Sequence, residues 1–291
     1  MIKKTVNLLP IAAGVLFGSV GFFVRTLDGA GFGNITIIFS RAALAAVIMF
    51  ICLAVKDISL LKIQPKNFIY LAGCAILGML GTNLCFNISS THLSLSLAAV
   101  LLSIFPIYVL IFSRIVFKEE ITKKKTVCMF LAIAGCVMVS GIIGSAVSVS
   151  GAGLAAGLIS GVTYGAYGII SKFAMNSGLK SLTVTFYSLL ILAVILAPFA
   201  DYSAIYSFAA EAPARGIGFM FLHSLCIGVL PYLCYTTALQ YIEPGKASIL
   251  ASCEPVAAMI FGLVFFSEIP TIISIAGMAL TLVALAVMCK D

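Results

Sequence analysis

A chain of 291 residues, 62% hydrophobic and only 9% charged, lies far outside the soluble range, where about a quarter of residues carry charge. Its formal charge of +7 raises nucleic acid as a partner, but the bases stand singly at the joints between apolar segments and form no face, which excludes it. No polar run is large enough to build a separate soluble core, so any binding or chemistry belongs inside a bilayer-embedded part.

A bilayer crossing takes about 20 apolar residues. By that measure ten segments qualify, at about 7–25, 34–55, 67–88, 95–117, 126–144, 151–174, 181–200, 215–238, 246–266 and 270–289. The first ten residues, MIKKTVNLLP, resemble a signal peptide superficially; no small-residue cleavage site follows and further spans begin at once, so an uncleaved first helix is expected. With the N-terminus inside, fourteen Lys and Arg residues collect at inner joints and ends, from Lys3 to Lys290, against Arg25 and Arg215 outside. The positive-inside rule then puts both termini of a multi-pass membrane protein in the cytoplasm. The nine cysteines mostly lie singly in apolar segments without C-x-x-C spacing, so they read as small core residues. No metal and no cofactor are expected.

The stretch Lys246 to Glu268, KASILASCEPVAAMIFGLVFFSE, sets Glu254 and Pro255 side by side in an otherwise apolar crossing. A carboxylate at that depth is costly and marks a cavity or a partner. Pro255 has no N–H, so the carbonyl of Ala251 loses its helical donor, which is tolerated at membrane depth only beside protein or a wet cavity. The same design recurs from Ala98 to Glu119 around Pro106; each proline is followed thirteen residues later by a glutamate. At one offset Ser103 also pairs with Ser252, Leu101 with Leu250, Phe86 with Tyr235 and Glu119 with Glu268. Near the start of each half, Ala12, Ala13, Gly14 and Gly18 match Ala155, Ala156, Gly157 and Gly161. The chain therefore divides into two five-helix repeats, residues 7–144 and 151–289. Five being odd, the second enters the membrane from the other side. The expected fold is all-α and integral to the membrane: ten helices in two inverted repeats, the architecture of alternating-access carriers.

The two stretches CFNISSTHLSLSLAAVLLSIFPIYVLIFSRIVFKEEIT and CYTTALQYIEPGKASILASCEPVAAMIFGLVFFSEIPT resemble the hallmark segments of EamA-type transporters in the drug/metabolite transporter superfamily, and Arg41 in SRAALAAVIMF is similar to the arginine that opens that family's second helix. The resemblance implies a ten-helix inner-membrane carrier of small metabolites, often amino acids or their derivatives and frequently in the export direction. It implies no particular substrate.

On the sixth span, Gly153, Gly157, Gly161 and Gly165 recur every fourth residue, a ladder that favours close helix packing. One step round, Ser160, Tyr164, Tyr167 and Ser171 share a face that either binds a substrate across a cavity or bonds to another helix. Tyr232 and Tyr235 follow Pro231, which opens the eighth span as Pro255 opens the ninth; Asn83 and Asn87 share a face with Phe86 nearby. The candidate substrate-binding set is thus Glu254, Tyr164, Tyr167, Ser160, Asn83, Asn87, Phe86, Tyr232 and Tyr235, with Pro106, Pro255 and Pro231 as helix breaks or gates. Glu119 and Glu268 read as interfacial structural groups, and Arg41 as a cation snorkelling to the outer interface.

Phosphorylated substrates call for several midplane cations. One buried acid among aromatic rings fits a cationic or zwitterionic amine instead, through its carboxylate and through cation–π contact. The leading expectation is a secondary transporter of amino acids or amine-bearing metabolites; carriers of choline-like cations or nucleosides are alternatives. An integral-membrane enzyme acting on lipids is the alternative of another class, but His92 and His223 stand far apart and no acidic motif or phosphate-cradling loop is present. The expected partners are a small-molecule substrate and the lipid bilayer, with monomer and homodimer both open.

Overall fold

In lipid a helix satisfies its own crossing backbone, and every apolar run picked out above folds as a helix. The computed structural model describes residues 2–143 and 150–290; Gly144, the expected end of the first repeat, lies outside them. In chain order the helices are α1 (Val6–Gly29), α2 (Asn34–Lys56), α3 (Pro65–His92), α4 (Leu95–Phe117), α5 (Lys123–Val139), α6 (Gly151–Asn176), α7 (Ser181–Phe199), α8 (Pro213–Ala238), α9 (Pro244–Phe266) and α10 (Ile272–Cys289). Among the described residues, all but α5 are long and apolar enough to cross a membrane. The fifth span, expected at 126–144, starts earlier because Thr122 caps it, its Oγ1 accepting from the Lys125 N–H at 3.2 Å. It ends at Val139, just ahead of Gly141, whose φ of 72° turns the chain into the left-handed region open to glycine.

The span count also passed over one element. Tyr202–Glu211, between α7 and α8, is a ten-residue helix whose first turn is capped by Asp201, Oδ1 accepting from Ser203 and Ala204. Its Ile205 and Phe208 cover Leu27, Phe32 and Ile37, so it closes the α1–α2 turn and is too short to cross.

The packing displays the internal duplication. Helix α1 lies against α8 and α9, and α6 against α3 and α4; α2 pairs with α7, α4 with α9 and α5 with α10. Exchanging each helix with the one five places on returns the same set, as a two-fold between the halves requires. The backbone repeats too. Helix α4 breaks between Ser103 and Phe105, and α9 between Ala251 and Glu254, with Pro106 and Pro255 opening the second segments. Both helices end in a left-handed residue, Lys118 at φ 57° and Ser267 at φ 55°. Helices α3 and α8 widen into π-helix at matching places, Cys74–Leu80 and Ser224–Val229. Five helices per half bring α1 and α6 in from opposite faces.

Pro231 differs from the expectation made for it. It sits two residues past the π-helical segment of α8, and α8 stays helical through it. The wider turn accommodates a residue that lacks an N–H, so this proline does not open the helix as Pro255 does. The glycine ladder of α6 does pack closely: Gly157 and Gly161 lie against Leu101, and Gly165 against Val109 and Phe105. Residues such as Phe130, Val194 and Val264 turn outward as the lipid-facing surface.

The α5–α10 crossing is the closest that small residues permit. A Cβ at Gly135 would stand 2.7 Å from the Gly277 carbonyl and 3.0 Å from the Thr281 nitrogen. Gly135→Val is therefore expected to wedge the pair apart at a cost of roughly 1–3 kcal/mol, read as a lower melting temperature in detergent. An unchanged melting curve would contradict so close a contact.

Candidate functional site

The two breaks and the first helix enclose one large cavity of about 680 Å³. Its deep end lies at the α9 break, where Glu254 starts the second helical segment, ten residues and thus ~15 Å into the helix. Its mouth is framed by Arg25, Glu268 and Thr271, all at the face away from the chain ends. The chain ends share the other face, where the Asn7 side chain donates to the Cys289 carbonyl at 3.4 Å and the Lys124 ammonium to the Lys290 carbonyl.

Glu254 is half-buried, and its exposure is to the cavity. Its Oε2 accepts from the Tyr164 hydroxyl at 3.1 Å. The Tyr164 ring packs on Phe105, the residue equivalent to Glu254 in the first half, with centroids 4.5 Å apart. Phe17 projects from α1 between two tyrosines, edge-on to Tyr232 at 5.0 Å and to Tyr164 at 6.3 Å. Tyr232 in turn meets Tyr167 at 5.1 Å. The carboxylate thus adjoins an aromatic cluster through Tyr164, and aromatic faces attract cations.

Of the residues picked out by sequence, Glu254, Tyr164, Tyr167, Asn83, Asn87, Phe86, Tyr232 and Pro255 line this cavity. The others stand behind it. Ser160 is fully buried and bonds its own helix at the Gly157 carbonyl; Ser171, lower on the same stripe, meets the Cys74 thiol. Ser171 therefore packs against α3 and Ser160 on its own helix, while Tyr164 and Tyr167 line the cavity, the Tyr167 hydroxyl itself being buried. Tyr235 is buried against Gly168, unlike its equivalent Phe86, because α6 carries no side chain there to keep it out. Pro106 and Pro231 are buried among neighbouring helices. Asn83 turns partly back, donating to the Met79 carbonyl that the π segment leaves available.

Arg41 differs most from its expected place. It is 7% exposed and lines the cavity instead of reaching an interface. Seven residues separate it from the start of α2, a depth of ~10 Å. Gly228 in the π segment of α8 leaves room for its stem: a Cβ there would stand 3.3 Å from the Arg41 Cγ. A lone cation two turns inside an apolar run was the available signal. Sequence also passed over Phe17, and over the thiols of Cys253 and Cys136, which sit at the α9 break and donate to the carbonyls of Ile11 and Ser252.

The two faces are closed differently. At the mouth, Arg25 and Glu268 pair at 2.6 Å with about half of each side chain exposed, and the guanidinium lies 4.7 Å from the Phe266 ring centroid. On the face of the chain ends the equivalent glutamate, Glu119, is buried. Lys125 reaches Glu119 at 2.8 Å and Glu243 at 2.5 Å, and the Gly245 N–H donates to Glu119 at 3.3 Å. This tie joins the end of α4, the start of α5 and the start of α9.

Two five-helix halves around one cavity that reaches a single face define the fold of a polytopic membrane protein. The EamA-like transporter family model matches twice, over residues 4–141 and 151–289, and the chain belongs to that family. It is 26% identical over 278 residues to an "Uncharacterized transporter" of Archaeoglobus fulgidus, covering 95% of this chain and 94% of the relative. It is 23% identical over 291 residues to "Uncharacterized transporter YxxF" of Bacillus subtilis, covering 97% and 90%. A solved structure described as "Crystal structure of protein" shares the fold, with a TM-score of 0.81 at 14% identity over 97% of this chain and 96% of that one.

The buried tie gives a direct test of how the closed face is held. Lys125→Met leaves Glu119 buried and uncompensated, which is expected to cost about 3–5 kcal/mol. Adding Glu119→Gln removes the orphaned charge, so the double variant should melt above the single one. A double variant that melts lower than Lys125→Met would show that Glu119 is held by contacts other than this charge.

Proposed function

We propose that this protein is a secondary transporter that carries small amine-bearing metabolites, amino acids foremost, out of the cell by alternating access across a bacterial inner membrane, with both termini cytoplasmic. Membership in a transporter family and the duplicated fold support the carrier class. The observation that carries the substrate reading is Glu254: a carboxylate at membrane depth, beside a helix break, bonded to a phenol that packs in an aromatic cluster. An ammonium group brought to it would gain a charge-assisted bond and cation–π contact in a site of low dielectric. The tie at Lys125 on the face of the chain ends, and a cavity reaching the other face, fit a carrier held in one of its two end states.

Counterflow in proteoliposomes tests the class. Trans-stimulated, saturable uptake of amino acids is expected. Unsaturable flux would favour a channel, preferential exchange of choline-like cations or nucleosides would move the substrate class, and absence of any flux would return a membrane enzyme acting on lipids. Glu254→Gln keeps the size and the Tyr164 contact but loses the charge. It is expected to cut exchange by about 10- to 100-fold, the worth of one charged hydrogen bond, while the protein elutes from size exclusion as the parent does. Full exchange by this variant would remove Glu254 from the site.

A further inference from the structure

Four charged side chains line the cavity: Arg25, Arg41, Glu254 and Glu268. Two of them, Arg25 and Glu268, neutralise each other at the mouth. The other two stand deeper and are not paired. Glu254 has the Tyr164 hydroxyl, whereas the Arg41 guanidinium has no hydrogen-bond acceptor and no ion-pair partner among the described residues. Arg41 is nevertheless more than nine-tenths buried. Its guanidinium nitrogens are not among the fully buried polar atoms, so the charge opens onto the cavity, where the anion of a ligand can reach it. Its five donors form a planar fork matched to a carboxylate.

Arg41 and Glu254 also line the cavity from different helices. Arg41 comes from α2 and rests on α8 at Gly228, within electrostatic range of Tyr232; Glu254 comes from α9 and rests on Tyr164 of α6. The ring of Phe17 lies between those two tyrosines. The cavity therefore presents a cation and an anion separated by an apolar aromatic surface. A purely cationic ligand would compensate Glu254 and leave Arg41 buried and unmatched, and a purely anionic one would do the reverse. Only a ligand carrying both charges leaves neither group unmatched.

We propose that Arg41 is the carboxylate-binding residue of the cavity, and that the ligand is a zwitterionic amino acid with an apolar side chain, its ammonium on Glu254, its carboxylate on Arg41 and its side chain against Phe17. This rests on the Glu254 reading above and adds to it a second recognition point from a different helix. Bidentate bonding to a planar guanidinium also makes the site selective between Arg and Lys: a lysine supplies the charge but not the fork.

The test uses the full chain purified in detergent and the rise of its melting temperature with ligand. The twenty common amino acids are screened, and each one that stabilises is compared with its amide, which lacks the carboxylate, and with its desamino acid, which lacks the ammonium. The apolar amino acids are expected to bind at least about tenfold more tightly than either truncated form, each of which gives up one charge-assisted contact. In Arg41→Gln the amino acid and its amide should bind alike; Arg41→Lys should restore only part of the difference. Removing an unmatched buried charge should also leave the unliganded Arg41→Gln protein at least as heat-stable as the parent. The comparison in the unaltered protein stands whether or not the variants fold. An amide that binds as tightly as its amino acid would overturn the role of Arg41 and leave the amine reading of Glu254 in place. A desamino acid that binds as tightly would overturn the Glu254 reading and leave Arg41. Stabilisation by none of these compounds would overturn both.

Discussion

Within a bilayer a helix cannot be interrupted without cost, because there is no water to take up the carbonyls and N–H groups that an interruption releases. The breaks in α4 and α9 exist only because neighbouring elements close on them. At the α9 break, Gly14 lets the α1 backbone approach the Ala251 carbonyl, the Cys136 thiol donates to the Ser252 carbonyl, and the Cys253 thiol ties the break to the Ile11 carbonyl of α1. At the α4 break, Gly161 lets α6 come within 3.1 Å of the Leu101 carbonyl, measured from where its Cβ would be. What these contacts leave open is the cavity itself. The site thus follows from the need to satisfy two broken helices, with small residues on α1 and α6 deciding which sides are filled.

The duplication makes the two halves equivalent in backbone and unequal in side chains. Glu119 and Glu268 occupy matched positions after matched left-handed residues, yet one is locked against Lys125 and Gly245 while the other forms an exposed pair with Arg25. An exposed pair contributes roughly 0–1 kcal/mol. The buried one is worth little against an apolar substitute but is costly to break singly. That difference places rigidity on the face of the chain ends and leaves the other open to the cavity. Glu254 opposite Phe105 is the same kind of asymmetry at the centre. A strictly symmetric pair of glutamates would set two like charges in one cavity, with the repulsion that entails.

The length of the apolar runs, the paired prolines with glutamates at equal spacing and the positions of the small residues made most of the architecture legible in the chain. Periodicity went furthest where one face had one task, as in the glycine ladder of α6. It went less far where one face had two. Ser160, Tyr164, Tyr167 and Ser171 share a face of the helix, but only the two tyrosines line the cavity, while Ser160 bonds its own helix and Ser171 meets α3. Pairing Phe86 with Tyr235 was correct for the backbone and misleading for the site, since Gly168 admits Tyr235 into the packing.

The sequence by itself determined that the chain is a membrane protein of two inverted halves, that α4 and α9 break where Pro106 and Pro255 stand, and that one acid lies at membrane depth. These follow from local chemistry: hydropathy over a span, a missing N–H, the cost of a carboxylate in lipid. Only the tertiary structure decided which side of each helix faces the cavity, and hence that Arg41 is buried against Gly228 instead of extending to the interface. The depth of a residue is written in the chain. Its partner is not, because the glycine that makes room for Arg41 lies on α8 and the anion that shares the cavity lies on α9, each nearly two hundred residues or more away in sequence.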